Sequence, residues 1–266
     1  MEEDVLFTID EDNIARITLN RPQAHNSLDE GMIQKLITHC KALHESTTVR
    51  ALIIRGNGES FCSGSDLSSM KKPSQLTESQ NFDEARLLSQ LLYSLDLMPI
   101  PTIAFAHGEV RGGGIGLLAC SDIVLADPQT NFSFSETRIG LVPSVISPYI
   151  LRIFGLRQTK RYFLTGETID ASTAYRLGLI HDVVESNHAD QEVDKIVGSI
   201  LAGGPQAVRE VKKLMYYMTG DISESIRLRA IELVATLRRS EEFQLGIEAF
   251  FEKSIPAWVP NGHGKD

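Results

Sequence analysis

The 266-residue chain has only three cysteines and one tryptophan, and no apolar run near the ~20 residues that a membrane-spanning helix needs. Cys40, Cys62 and Cys120 are odd in number and share no CxxC or CxxxxC spacing, so neither a disulfide framework nor a zinc cluster is expected, and a reducing compartment fits. Basic residues are in deficit. Lys and Arg total 26 against 35 Asp and Glu, and the net charge of −9 opposes broad attraction to nucleic acid or anionic lipid. An anionic ligand must therefore be held by a local device. The acidic start Met1-Glu2-Glu3-Asp4 has no basic n-region and no arginine-rich amphipathic segment, so a cytoplasmic protein is expected, with neither membrane nor nucleic acid among its partners. GxxxxGKS/T, GxSxG and HExxH are missing, which excludes the P-loop, the serine-hydrolase elbow and the zinc-protease helix, and no metal is expected.

What is present is an ordinary globular composition, 42% hydrophobic and 23% charged, long enough to bury a sizeable core. Val5–Ile9 and Ile14–Leu19 alternate like two strands of a hairpin, with Asp10 to Asn13 as the turn. Ser27 and Glu30 read as a capping box before Met32, Ile33, Leu36, Cys40 and Leu43 at helical spacing. Thr77 and Gln80 read as another, ahead of Leu87, Leu88, Leu91, Leu92 and Leu95. The apolar run Ala51–Ile54 has the pattern of a strand buried on both faces, and Thr102–Ala106 reads as a strand leading to the glycine run at 112–114. The last sixty residues are helical, jointed at Gly203-Gly204-Pro205. The βα alternation before that joint argues an α/β core, residues 1–203, and a helical unit, residues 204–266.

Three segments carry the chemistry. Gly112-Gly113-Gly114 stands between a strand and a helix, where the absence of Cβ atoms leaves backbone N–H groups open to an oxygen that gains negative charge. Upstream lies a second glycine turn, Phe61-Cys62-Ser63-Gly64-Ser65-Asp66-Leu67. Downstream, Glu136 sits among Phe134, Ile139 and Leu141, an apolar setting that raises a carboxyl pKa towards neutrality. Taken alone, Glu136 also reads as a helix- or strand-end glutamate paired with Arg138, and the glycine run as close helix–strand packing.

These motifs resemble the crotonase family, also called the enoyl-CoA hydratase/isomerase family. The likeness spans nearly the whole chain: Asn20-Arg21-Pro22 with Asn26-Ser27-Leu28, the FCSGSDL loop, HGEVRGGG, ETRIGLVP, and Ala249-Phe250-Phe251-Glu252-Lys253. It implies a spiral of repeated ββα units with a C-terminal helical trimerisation domain, in trimers that often pair into hexamers. It also implies an acyl-CoA thioester as substrate, with no separate cofactor, and an enolate held by the N–H groups of Ser65 and Gly113 while Glu136 moves protons. Ala24, Leu28, Ser63, Asp66, Leu67 and Gly112 fall in the segments lining that substrate. Phe250 and Lys253 match the pair that contacts CoA from a neighbouring subunit, and Lys71 and Lys72 are further candidates for its phosphates.

One departure stands out. Two-glutamate hydratases carry a second carboxylate where this chain has Gly116. The segment Gly140-Leu141-Val142-Pro143-Ser144-Val145 resembles bacterial hydratases of methylglutaconyl-CoA and isohexenylglutaconyl-CoA, which tend to lack that glutamate too. Hydration of a branched 2-enoyl-CoA is thus the leading expectation, with Arg111 and Arg138 as candidates to meet a distal carboxylate. A Δ3-Δ2 enoyl-CoA isomerase working with Glu136 alone is the runner-up, and a non-catalytic CoA-binding homologue the reading from another class. Glu109 is a remote substitute for the missing carboxylate, and His107 reads as structural.

Overall fold

The computed structural model describes residues 3–68, 77–256 and 258–259. A hairpin, β1 (Val5–Ile9) and β2 (Ile14–Leu19), opens a six-stranded sheet. The sheet continues through β3 (Ala51–Gly56), β4 (Thr102–Ala106), β6 (Ile123–Ala126) and β9 (Asp182–Val183), all parallel from β2 onward. A second, three-stranded sheet holds β5 (Glu109–Arg111), β7 (Asn131–Ser133) and β8 (Ile169–Asp170). The helices are α1 (Glu30–Glu45), α2 (Glu78–Asp96), α3 (Gly113–Ala119), α4 (Ser147–Thr165), α5 (Ala171–Arg176), α6 (Ala189–Leu201), α7 (Pro205–Thr219), α8 (Glu224–Leu237) and α9 (Glu241–Glu252). None of them is long and apolar enough to cross a membrane.

The unbroken apolar strands follow from layering. Leu52, Ile54, Ala104 and Val124 face the main core, whereas Ala51, Ile53, Ile103 and Leu125 face a smaller one closed by Val193 and Val197 of α6. Both faces are covered, so alternation has no solvent side to mark. Thr77 and Gln80 form the expected reciprocal cap on α2. Ser27 does not cap α1; Asp29 does, accepting from the Met32 N–H at 2.8 Å. The reason is pairing upstream: Leu28 donates to the Gly64 carbonyl at 2.7 Å and accepts from Asp66 at 3.0 Å, so the helix can begin only beyond it.

That pairing is anchored by Asn26, fully buried with φ +54°. Its Oδ1 accepts from the Arg21 N–H, and its Nδ2 donates to the carbonyls of Asn57 and Ser60, all at 2.8 Å. Arg21 then binds the Ser27 carbonyl, Asp29 and Asp66, joining the Asn20-Arg21-Pro22 turn to the FCSGSDL loop. At the other end of the chain, Gly204 and Pro205 open α7, α8 lies along α2, and α9 packs on the turn Ser135–Ile139. This last contact needs two glycines. A Cβ on Gly246 would stand 2.6 Å from the Ile139 carbonyl, and one on Gly140 2.8 Å from the Glu242 carbonyl.

Asn26→Ala leaves one buried N–H and two carbonyls without their partner and places alanine at positive φ. It should lower stability by about 2–4 kcal/mol in urea unfolding; a loss under about 0.5 kcal/mol would show that water reaches this hub.

Candidate active site

The two glycine turns meet backbone to backbone. Arg111 donates to the Cys62 carbonyl at 3.1 Å, and residues 62 and 110 pair as a parallel bridge. A Cβ on Gly114 would overlap that same Cys62 carbonyl. Gly64, at φ +92°, lies so close that its Cβ would be 2.8 Å from the Arg111 carbonyl and 3.6 Å from the Gly113 nitrogen. Gly113 is the first residue of α3, so its N–H has no acceptor within the helix. The Ser65 N–H has none among the described residues. The two donor turns therefore sit side by side, with the spacing of their backbones fixed before any ligand arrives.

Glu136 reaches this point from the Ser135–Ile139 turn. Its Oε1 lies where a Cβ of Gly112 would be only 2.6 Å away, and Gly112, at φ +43°, leaves the space open. Oε2 is buried with no hydrogen-bond partner among the described residues. Although the residue as a whole is partly exposed, its carboxyl tip is enclosed. Burial pushes its pKa from an ordinary 4.5 up to about 7, against a lesser opposing hydrogen bond from its own backbone. No ion pair joins it to Arg138.

At Gly116 the wall is apolar. A Cβ there would meet Ile146 at 2.8 Å and Leu92 at 3.1 Å, and both side chains are buried. Leu28 and Leu88 stand 3.2 and 3.7 Å from the Cβ position of Gly113. A cleft of about 90 Å³ next to Ser65 is bounded by Leu28, Ile33, Leu87, Leu88 and Glu84. The motifs named Gly116 but not its packing partners. Only the helical spacing of Leu88 and Leu92 hinted at them.

Other expected residues spread outward. Ser63 donates to the His25 carbonyl at 3.0 Å, Leu67 packs partly buried on the core, and Ala24 ends the short 3-10 turn Pro22–Ala24. Burial opposes ionisation of Asp66, yet hydrogen bonds from Ser68 and Arg21 hold its carboxyl below the usual range, so it braces the loop as an anion. Arg111 and Arg138 are exposed, the former paired with Glu109 at 3.0 Å and the latter lying against Gly166. That pairing also turns Glu109 outward. His107 donates to the Gly58 carbonyl and stacks on Phe105, a structural role. Phe250 and Lys253 stand exposed at the end of α9. Lys71 and Lys72 lie outside the described residues.

The folded pKa of Glu136 lies above its unfolded one, so its contribution to stability is present below about pH 4.5 and is lost as pH rises through about 7. Glu136→Gln should therefore gain on the wild type by up to about 3 kcal/mol across that window. Urea unfolding at about pH 5 and about pH 8 reads this; an unchanged difference would mean that the carboxyl is solvated.

The chain matches the enoyl-CoA hydratase/isomerase family over residues 10–261. It is 31% identical over 247 residues to crotonyl-CoA hydratase of Syntrophomonas wolfei, covering 91% of this chain and 93% of that one. It is 28% identical to a mitochondrial Delta(3,5)-Delta(2,4)-dienoyl-CoA isomerase of Dictyostelium discoideum, over 93% of this chain and 88% of the other. A crystal structure of an enoyl-CoA hydratase from Shewanella pealeana superposes with a TM-score of 0.78 at 35% identity, covering 96% of each chain. A chain-long family match, with like folds and two abutting donor turns, leaves one assignment: this protein belongs to the enoyl-CoA hydratase/isomerase, or crotonase, family.

Proposed function

We propose that the protein hydrates a 2-enoyl-CoA thioester through an enolate held by the Ser65 and Gly113 N–H groups, with Glu136 as the acid/base. The observation that carries this is the enclosed Glu136 carboxyl, lodged against Gly112 with one oxygen unpartnered and a pKa of about 7. A group so poised accepts a proton from water as the oxygen adds to C3, and returns one to C2. Charge drawn onto the thioester oxygen in between is met by two amides that need not reorganise. Coenzyme A enters as part of the substrate, and no other cofactor is invoked.

One observation favours a second reading, isomerisation. Leu92 and Ile146 occupy the place of a second carboxylate, so no side chain at Gly116 can hold water opposite Glu136. A single carboxyl suffices to carry a proton between C2 and C4. The branched, glutaconyl-like acyl group expected from the Gly140–Val145 segment is left out of the proposal, because Arg111 and Arg138 are both exposed and neither is placed to meet its carboxylate.

A homotrimer or homohexamer is proposed on the apolar residues that α7 exposes, Val211, Leu214, Met215, Tyr217 and Met218, and such an assembly would bring Phe250 and Lys253 to a neighbour's CoA. The acidic charge and three buried free cysteines support the cytoplasm as its place.

Crotonyl-CoA, 3-hexenoyl-CoA and 3-methylglutaconyl-CoA, each supplied in labelled water, separate these readings. Hydration predicts label in a 3-hydroxyacyl product; conversion of the 3-enoyl substrate alone, without label, selects the isomerase. Glu136→Gln should lower turnover by about 10²–10⁴ while CoA-thioester affinity holds. Undiminished turnover would remove Glu136 from the reaction.

A further inference from the structure

A cavity of about 540 Å³ lies away from Glu136, at the far end of α3. Asp96 from α2, Ala119 and Cys120 from the end of α3, Arg152 from α4, and Val208 and Lys212 from α7 form its wall. The same helices lead to it from the donor turns. On α2, Leu88 faces Gly113, Leu92 faces Gly116 and Asp96 reaches the cavity, each one helical turn beyond the last. Near α4, Ile146 faces Gly116, and Arg152, farther along, lines the cavity. Leu92 and Ile146 supply the side-chain atoms nearest to Gly116, midway along α3. Seven residues of rise from Gly113 to Cys120 amount to about 10 Å, the span of roughly eight carbons of extended chain.

The cavity has a polar end with one open acceptor. Asp96 Oδ1 takes a hydrogen bond from Arg152, whereas Oδ2 is buried with no partner, on a side chain only 5% exposed. Lys212 donates to the Ile100 carbonyl at 3.0 Å and to Asp122 at 2.6 Å, and Asp122 also accepts from the N–H and hydroxyl of Thr102. Asp96 and Asp122 thus balance Arg152 and Lys212. A carboxylate entering here would leave an anion uncompensated, whereas a neutral hydroxyl can donate to Asp96 Oδ2 without upsetting that balance.

We propose that this cavity receives the far end of the acyl chain, so that the preferred substrate is a medium-chain 2-enoyl thioester ending in a hydroxyl, admitted where Leu92 and Ile146 part over Gly116. The inference rests on the thioester reading given under Proposed function. It also gives Gly116 a role: a glutamate there would set a carboxyl across an apolar passage. A glutaconyl group spans about half the distance and would end its carboxylate on Leu92 and Ile146 rather than on Arg152.

The test compares crotonyl-CoA, trans-2-decenoyl-CoA and 10-hydroxy-trans-2-decenoyl-CoA as substrates, with calorimetric affinities for butyryl-CoA and decanoyl-CoA alongside. Wild type should gain up to about fourfold in kcat/KM per methylene buried, and about tenfold more for the terminal hydroxyl. Val208→Phe on α7 and Ala119→Leu on α3, which add bulk to the cavity lining, should each cut the decenoyl advantage at least tenfold and leave crotonyl-CoA turnover unchanged. Asp96→Asn should remove the hydroxyl preference and keep the chain-length dependence. Equal kcat/KM at both chain lengths, or filled variants with an unaltered ratio, would overturn the assignment. Should no thioester turn over, the thioester reaction fails, and the decanoyl-to-butyryl affinity ratio in wild type and filled variants still decides the cavity.

Discussion

Everything at this site depends on how closely two turns of backbone approach one another. The Cys62 carbonyl takes the Arg111 N–H and lies against the Cα of Gly114, while Gly64 presses on the Arg111 carbonyl. Glycine keeps side chains off the close approaches at 64 and 114, so the spacing of the two donors is set largely by peptide planes, which are stiff, rather than by rotamers. The parallel sheet brings β3 and β4 alongside each other so that the segments following them run together, and Asn26 with Arg21 fixes the first of them from behind. Donors held this way need no reorganisation as charge develops, which is where such a site gains over water.

The carboxyl is tuned by the opposite means. Two amides stabilise a charge by being present, whereas Glu136 acquires its proton affinity by having almost nothing polar near it. In the reaction proposed, the two devices would complement each other: as negative charge passed to the thioester oxygen, a proton would neutralise Glu136, so the enclosed volume would not carry two anions. A second glutamate at residue 116 would break that economy. Leu92 and Ile146 in its place keep the dielectric low around a single titrating group.

Much of this is legible in the chain itself, and the failures have physical causes. The hairpin, the Thr77–Gln80 cap and the glycine turns depend on near neighbours, and periodicity or spacing exposes them. Ser27 looks like a cap by the same local logic but loses that role because Leu28 is paired with residues 64 and 66, nearly forty positions away. Arg111 and Arg138 adjoin functional residues in sequence yet point outward, since neighbours on a strand or tight turn face different ways. The partners of Gly116 come from two other segments, and an absent side chain gives no sequence signal of what fills its place.

The packing of α9 on the Ser135–Ile139 turn has a consequence for how the protein comes into being. Gly246 and Gly140 let residues 242–246 settle on the backbone that carries Glu136, and those residues are made more than a hundred positions later. On a ribosome, both donor turns and the Glu136 turn are therefore made before the α9 residues that pack against the latter. The turns proposed to hold the thioester oxygen are thus complete in sequence well before the proposed acid/base gains its last support.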